Sequence, residues 1–346
     1  MIFRVGIVGC GLIGQKRARA LGAGARVVAC ADPNEANARA VAAAVASANA
    51  SADTSVAGSD GVRIFADWRE LVALAEIDIV VVATHHDSLA AITLGAIEAG
   101  KHVLVEKPAA RSPAEIGPLI EAAARRGVKV HVGFNHRYHR AMRQARAIVD
   151  AGSLGELMFI RARYGHGGRI GYDREWRAQP HVSGGGELID QGPHLIDLAR
   201  WFLGDFPHVQ GYAHTYFWDM PVDDNGFLLL RTATQQVAFL HASCTEWKNL
   251  FSMEIYGRLG KLDLSGLGGS YGVERLTWYR MLPQMGPPET QGWEYPMADD
   301  SWEVEIAEFL DDIRLERAPA AGLHDASECL KIIQHVYRES GLDHRP

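Results

Sequence analysis

Over the first 134 residues, short apolar runs rich in β-branched side chains alternate with amphipathic stretches at helical spacing. Phe3 to Val8, Val27 to Ala31, Val62 to Phe65, Ile77 to Ala83, His102 to Val105 and Val128 to Phe134 read as strands. Between them, Gln15 to Leu21, Pro33 to Ala46, Asp67 to Leu74, Ser88 to Ala99 and Pro113 to Arg126 read as helices. Gly100 closes the fourth helix as a C′ residue, and Ser112-Pro113-Ala114-Glu115 opens the fifth as a capping box with proline at N1. Ile77 to Ala83 is apolar throughout, as strands buried on both faces of a parallel sheet are. The alternation predicts an α/β domain with a mostly parallel, doubly wound sheet over residues 1–134. Val41 to Gly61, rich in Ala, Ser, Asn and Asp, predicts a helix dissolving into a mobile surface loop.

After a helix from Ala141 to Ala151 the rhythm changes. Strand signals follow one another at Leu157 to Tyr164, His208 to Phe217, Gly226 to Arg231, Val237 to Thr245, Phe251 to Tyr256, Lys261 to Leu264 and Leu276 to Arg280. Strands without intervening helices predict an α+β domain with a large, open, mostly antiparallel sheet over 135–346. A helix around Leu188 to Phe202 would cover one face of that sheet. The other face also needs a cover, and a second subunit is the expected one. Two amphipathic helices, Ser301 to Arg314 and Asp325 to Glu339, close the chain; the first carries Ile306, Phe309, Leu310 and Ile313 on one side.

Composition adds boundaries to this picture. A formal net charge of -7 disfavours nucleic acid and anionic membranes as partners. Cys10, Cys30, Cys244 and Cys329 are scattered without metal-ligand spacing, which predicts a reducing, cytoplasmic setting. The amino terminus reaches glycine without a basic segment and a long apolar run, so no secretory signal is expected, and no apolar run is long enough to span a membrane.

The first strand runs into Gly9-Cys10-Gly11-Leu12-Ile13-Gly14 and then into helix, which is the dinucleotide fingerprint in its required strand, turn and helix context. Gly9 permits the tight turn, Gly11 lets the backbone approach a pyrophosphate, and Gly14 lets helix pack on strand. The helix amino terminus presents free N–H groups to phosphate. Asp32, eighteen residues after Gly14 at the end of the second strand, is placed to accept hydrogen bonds from a ribose and to repel a 2′-phosphate, so NAD is expected over NADP. Asp32 followed by Pro33 also suits the cap of the next helix. Two further strands deliver Thr84-His85-His86 and Glu106-Lys107-Pro108 to their carboxyl ends, where open parallel sheets bind ligands.

A second concentration of chemistry lies in Gly184-Gly185-Gly186-Glu187-Leu188-Ile189-Asp190-Gln191-Gly192-Pro193-His194. Asp190 and His194 stand at i and i+4, so a helix would put them on one face. Pro193 requires that the helix either starts there or bends there. The pair reads either as a cap with a core histidine or as catalytic groups. The loop Gly165-His166-Gly167-Gly168-Arg169-Ile170-Gly171-Tyr172, followed by Trp176 and Arg177, suits a lid or substrate wall, and Glu246-Trp247-Lys248 suits contact with hydroxyls; each equally suits a solvated loop. His136 with His139, and His85 with His86, lack a third ligand at suitable spacing, so no metal is expected.

Taken together, Gly9-x-Gly11-x-x-Gly14, Glu106-Lys107-Pro108 and Gly184-Gly185-Gly186-x-Leu188-x-Asp190-x-Gly192-x-His194 resemble the Gfo/Idh/MocA oxidoreductases, the family of glucose-fructose oxidoreductase and inositol dehydrogenase. The resemblance implies an amino-terminal Rossmann domain and nicotinamide-dependent oxidation or reduction of sugars and cyclic polyols. It also implies dimers or tetramers formed through the carboxyl-terminal sheet. It assigns Lys107, Asp190 and His194 as catalytic. It places Gly9, Gly11, Leu12, Ile13, Gly14, Asp32, Thr84, His85, Glu106 and Lys107 at the cofactor. Lys107, Asn135, His136, Tyr164, Trp176, Asp190, His194 and Trp247 are expected at the substrate. The chain departs from the family where Thr84-His85-His86 replaces the frequent Thr-Pro-Asn, and Asn135-His136 need not match the inositol dehydrogenases. Two rivals share the scaffold: an NAD-sensing regulator without catalysis, and a glycoside-cleaving enzyme that oxidises its substrate transiently.

Overall fold

The structure is a computed structural model that describes residues 2–51 and 61–342. The chain divides into two compact units, Met1–Gly133 with Trp302–Ser327 and Phe134–Ser301 with Glu328–Pro346. The later segment Trp302–Ser327 belongs to the first unit.

In the first unit, β1 (Phe3–Val8), α1 (Leu12–Arg19), β2 (Ala25–Ala31), α2 (Glu35–Ser51), β3 (Arg63–Phe65), α3 (Trp68–Val72), β4 (Ile79–Val82), α4 (His86–Glu98), β5 (His102–Glu106), α5 (Pro113–Arg126) and β6 (Val130–Gly133) alternate throughout. The six strands are parallel and ordered β3-β2-β1-β4-β5-β6. That order reverses direction between β1 and β4, the topological switch point at which such sheets bind dinucleotides. β4 is buried at every position, as its unbroken apolar run requires.

Local details depart from the expected caps. α2 begins at Glu35 rather than Pro33, because Asn34 takes the capping role by accepting the Ala36 N–H at 3.1 Å. It runs on to Ser51, past the expected end at Ala46, since alanine is the strongest helix former. The surface loop expected beyond it falls largely on residues 52–60, outside the described residues. Ser112 is the N-cap of α5, but no side-chain capping bond forms there; Glu115 instead accepts the Arg111 N–H at 2.7 Å and pairs with its guanidinium.

The second unit contains α6 (Arg140–Asp150), β7 (Leu157–Gly165), α7 (Pro180–Ser183), α8 (Glu187–Asp190), α9 (Gly192–Leu203), β8 (His208–His214), β9 (Asn225–Arg231), β10 (Val237–Ser243), β11 (Leu250–Gly257), β12 (Gly260–Ser265), β13 (Glu274–Arg280) and β14 (Glu289–Tyr295). The strands form one eight-stranded sheet in the order β14-β13-β12-β11-β7-β10-β9-β8. Only the β7–β10 pair in it is parallel. Strand alternation puts Ile160, Ala162, Tyr164, Leu228, Leu230, Ala238, Leu240, Met253 and Ile255 on the buried face, which α9 covers at β7 and β10. The helix expected from Leu188 to Phe202 is two pieces. It breaks at Gln191 and restarts with Pro193 in the first turn of α9, where the missing N–H costs nothing.

The last helices are α10 (Ser301–Arg314) and α11 (Leu323–Glu339). Ile306, Phe309 and Leu310 of α10 join the core formed by Phe3, Val5, Ile7, Val27, Cys30 and Leu104 in the first unit. The division between the units falls inside α11, after Ser327. Among the described residues no helix is long and apolar enough to cross a membrane.

Candidate active site

At the switch point of the first unit, Gly9 has a φ of +86° and receives the end of β1 beside Ala31 and Ala83. A Cβ on Gly14 would stand 2.0 Å from the Gly9 carbonyl oxygen, so helix α1 can start this close to the strand only with glycine there. Gly11 caps α1 with no side chain satisfying its first N–H groups, and a Cβ placed on it would meet nothing within 4 Å. Leu12 is exposed and Ile13 partly so at the same helix start. An open helix terminus ringed by glycine backbone is the cradle a pyrophosphate needs.

Asp32 is fixed beside this turn. One of its carboxylate oxygens accepts the Cys10 N–H at 2.8 Å and the other the Asn34 N–H at 2.8 Å. The residues present therefore fit a dinucleotide, with Asp32 aimed from the end of β2 at the neighbouring strand's turn. Thr84, at the end of β4, bonds Ser88 Oγ at 2.9 Å, and His85 is the exposed N-cap of α4. Glu106 ends β5, and Lys107 follows it, half-buried, through a cis peptide to Pro108. Glu106 is buried and accepts from the fully buried Arg17 Nε of α1 at 2.7 Å. Burial pushes its carboxyl above the ordinary range despite that partner. Its geometry is that of a strut between helix α1 and strand β5.

In the second unit, the glycine triplet turns against Asp223. A Cβ on Gly186 would stand 1.9 Å from the Asp223 carbonyl oxygen, so no larger residue fits. Asp223 accepts the Gly186 and Leu188 N–H groups at 2.9 and 2.7 Å, and the Tyr337 hydroxyl accepts those of Gly186 and Ile189 at 3.2 Å each. Thus clamped, α8 and α9 deliver Asp190 and His194, both buried. His194 stacks on His136 with ring centroids 3.8 Å apart and planes 13° from parallel. Tyr164, from the buried face of β7, meets both imidazoles edge-on at 4.8 and 5.9 Å, and Phe134 meets His194 edge-on at 6.3 Å. Burial raises the Tyr164 phenol well above its usual range, so it stays a neutral donor.

Asp190 accepts from Arg177 Nε at 2.8 Å. Arg177 lies over the Trp176 ring at 4.5 Å, which links Trp176 to this cluster. Glu187, one turn before Asp190, faces the Tyr172 hydroxyl at 3.3 Å and His166 Nε2 at 3.6 Å. Asn135 adjoins His136 in the chain, but its amide donates to Ser301 Oγ at 3.1 Å. Trp247 is two-thirds exposed at a φ of +58°, edge-on to Phe217 at 4.6 Å, with its backbone against Gly167.

The expected residues are therefore gathered in two groups. Gly9, Gly11, Gly14, Asp32, Thr84, Glu106 and Lys107 sit at strand ends adjacent in the sheet order of the first unit. His136, Tyr164, Asp190 and His194 converge in the second. Glu187, Asp223 and Tyr337 had no assigned role in the sequence, while His166 and Tyr172 belong to the loop read as a lid or substrate wall. A signal for Glu187 was present, an acid three residues before Asp190 in a helical turn. Asp223 and Tyr337 had none, being distant in the chain. Among the described residues no group of three His, Cys, Asp or Glu side chains could hold a metal ion.

Comparison with known proteins decides the family. Residues 3–134 match the oxidoreductase family model with an NAD-binding Rossmann fold, and residues 142–263 match the Gfo/Idh/MocA C-terminal domain. The chain belongs to the Gfo/Idh/MocA oxidoreductases. It is 31% identical over 163 residues to levoglucosan dehydrogenase of Pseudarthrobacter phenanthrenivorans, covering 46% of this chain and 42% of that protein. It is 31% identical over 219 residues to inositol 2-dehydrogenase 2 of Saccharopolyspora erythraea, covering 62% and 58%. The chain thus spans about half the length of these curated relatives. The fold is shared with a solved levoglucosan dehydrogenase in complex with NADH and L-sorbose, at a TM-score of 0.83 and 21% identity over 99% of this chain and 98% of that one. As a Gfo/Idh/MocA chain it has both of that family's parts, the six-stranded parallel sheet and the large open one.

Proposed function

We propose that this Gfo/Idh/MocA protein is an NAD(H)-dependent oxidoreductase that moves a hydride between the nicotinamide and a secondary alcohol or ketone of a sugar, sugar derivative or cyclic polyol. The observation that carries this reading is the buried His194, one turn beyond Asp190 and enclosed by His136, Tyr164 and Phe134. An imidazole is the side chain whose ordinary titration suits proton exchange with an alcohol near neutral pH. The relatives named for levoglucosan and inositol support a polyhydroxylated ring as substrate.

NAD, when bound, supplies the acceptor or donor of the hydride. The chain's own residues do the rest. Gly9, Gly11, Leu12, Ile13 and Gly14 would hold the pyrophosphate at the start of α1, and Asp32 the adenosine ribose; Thr84 and His85 border the same strand ends. The Asp32 carboxylate, fixed by two N–H donors, would repel a 2′-phosphate, which favours NAD over NADP. His194 takes the hydroxyl proton during oxidation and returns it during reduction. Asp190 holds hydroxyl or imidazole N–H groups by its carboxylate oxygens. Lys107 donates to the reacting oxygen and stabilises the negative charge that develops there. Asn135, His136, Tyr164 and Trp176 line the substrate in this reading, and Trp247 borders it.

The test is a screen of free sugars, inositols and glycosides that follows NADH formation, repeated with NADP. On the best substrate, Lys107→Ala and His194→Ala should each lower turnover by about 10²-fold to 10⁴-fold. Near-normal turnover in both variants would remove the assignment. Equal use of NADP would remove the role given to Asp32.

A further inference from the structure

We propose that Phe217, Trp218 and Trp247 form an outer subsite for a second sugar ring, so that the ring oxidised at His194 arrives as part of a glycoside. This rests on the function proposed above and names the substrate class of that same site.

Three loops leave one end of the eight-stranded sheet side by side. Gly165, Ser243, Asn225 and His214 are paired in one row across β7, β10, β9 and β8, so segments 166–179, 244–249 and 215–224 all emerge there. Segment 215–224 holds two buried acids with separate duties. Asp223 clamps the glycine triplet that leads to Asp190. Asp224 accepts the N–H groups of Tyr216, Phe217 and Trp218 at 2.9, 2.7 and 3.1 Å. The Trp218 indole is tied as well, its N–H donating to the Cys244 carbonyl at 3.0 Å. One loop thus anchors both the turn that carries Asp190 and a set of aromatic rings.

Those rings form a row that leads outward. The Tyr172 hydroxyl meets Glu187, three residues before Asp190, at 3.3 Å. From the Tyr172 ring the centroids step 5.5 Å to Trp218, 5.1 Å to Phe217 and 4.6 Å to Trp247. Exposure grows along the row: Tyr172 is buried, Trp218 half-buried, Phe217 57% exposed and Trp247 66% exposed. Trp247 keeps its place at a φ of +58°, which is unfavourable for a bulky side chain. Its backbone is pinned there, since the Glu246 N–H donates to the His166 carbonyl at 3.1 Å and a Cβ on Gly167 would stand 3.0 Å from the Trp247 backbone. Rings held so firmly in water contribute little to folding, and a ligand that covers them gains their burial.

The chemistry of the row selects that ligand. An aromatic face carries negative partial charge, and a pyranose turns C–H groups of the opposite polarity toward it while its hydroxyls point around the rim. Phe217 and Trp247 stand 87° apart, so they make a corner with a ring face beside a ring edge. Asp219 and Lys248, exposed and next in the chain to Trp218 and Trp247, add an acceptor and a donor suited to hydroxyls. Three rings beyond Tyr172 exceed what a single substrate ring at His194 needs, which makes the occupant a second ring linked to the first.

The experiment uses the full chain with NAD. The probes are glucose, galactose and myo-inositol as free rings, and maltose, cellobiose, lactose, melibiose and galactosyl-inositol as two-ring substrates. The best two-ring probe should exceed its own free component rings by at least about tenfold in kcat/KM. Trp247→Gly and Phe217→Ala should each lower that preference by about tenfold, with the loss in KM rather than kcat. Trp247→Gly should melt within about 3 °C of wild type, because glycine takes the positive φ without strain. A preference unchanged in both variants overturns the subsite, since the rings then serve structure alone. A change of mass in light scattering on loss of either ring would give the row to a second copy of the chain and also overturns it. If wild type oxidises free rings and favours no two-ring probe, only the subsite falls. If it oxidises no polyhydroxylated ring at all, the function proposed above falls and the subsite with it.

Discussion

Asp223 lies fully buried under the glycine triplet, accepting two backbone N–H groups and facing the Tyr337 hydroxyl. Burial outweighs those donors and pushes its carboxyl from 3.8 up to about 6. A carboxyl whose folded value lies above its unfolded one binds its proton more tightly in the folded chain. Its contribution to stability is therefore fully present below about pH 4 and is lost as pH rises through about 6. For this shift the loss amounts to roughly 3 kcal/mol. Asp223→Asn cannot titrate. Urea unfolding at pH 4.5, 5.5 and 7 should show wild type losing stability relative to Asp223→Asn as pH rises; a constant difference would mean that Asp223 does not titrate in this window. At this scale the sequence was readable wherever partners are near in the chain. The Gly9 to Gly14 turn is local, and the structure forms it; the spacing of Asp190 and His194 is local too, but the helix breaks at Gln191 between them. Asp223 and Tyr337 grip Gly186 from 37 and 151 residues away, and no local pattern encodes such a distance.

At the scale of elements, the ion-pair group around Arg17 ties three pieces of the first unit together. Arg17 of α1 is wholly buried, bonded to Glu106 at the end of β5 and to Glu305 of α10, and it lies over Trp302 at 4.2 Å. Glu305 also meets His131 Nε2 of β6 at 3.2 Å. Burial opposes ionisation of Glu305, but Arg17 and His131 outweigh it and bring its carboxyl below the ordinary range. Replacing Arg17 by Met would leave two carboxylates buried without their cation, at a cost of about 3–5 kcal/mol. Chemical denaturation of Arg17→Met should show that loss, and Arg17→Met with Glu305→Gln should recover part of it; equal stability of wild type and Arg17→Met would exclude the role. The amphipathic pattern of α10 was legible, including Ile306, Phe309 and Leu310 on one side. What it packs on was not, because periodicity identifies the buried face and not the surface that buries it. β14 was missed for a related reason. It is an edge strand, mostly exposed, and Glu289–Tyr295 shows no apolar alternation.

The whole molecule presents a sheet with one covered face and one that the described chain leaves open. On the open face Leu229 and Phe239 stand directly opposite each other across β9 and β10, 45% and 46% exposed, with Tyr212 of β8 beside them. Phe159 stacks on Tyr256 at 4.2 Å farther along the same face, where Arg161 pairs with Glu254. Eight strands at about 4.8 Å spacing make a surface about 34 Å across, wide enough for the 1,200–2,000 Å² that a stable interface of ordinary size buries. The apolar pairs sit among charges of both signs, which suits a self-complementary contact between copies related by a two-fold axis. We therefore expect a homodimer or homotetramer formed through this face. Leu229→Lys with Phe239→Lys places two like charges at the centre of the patch while leaving the buried face of both strands untouched. Light scattering coupled to size exclusion should then give the mass of a single chain, with the circular dichroism spectrum unchanged. A double variant that keeps the mass of the wild-type assembly would place the interface elsewhere, and a wild type that already runs as one chain would remove it.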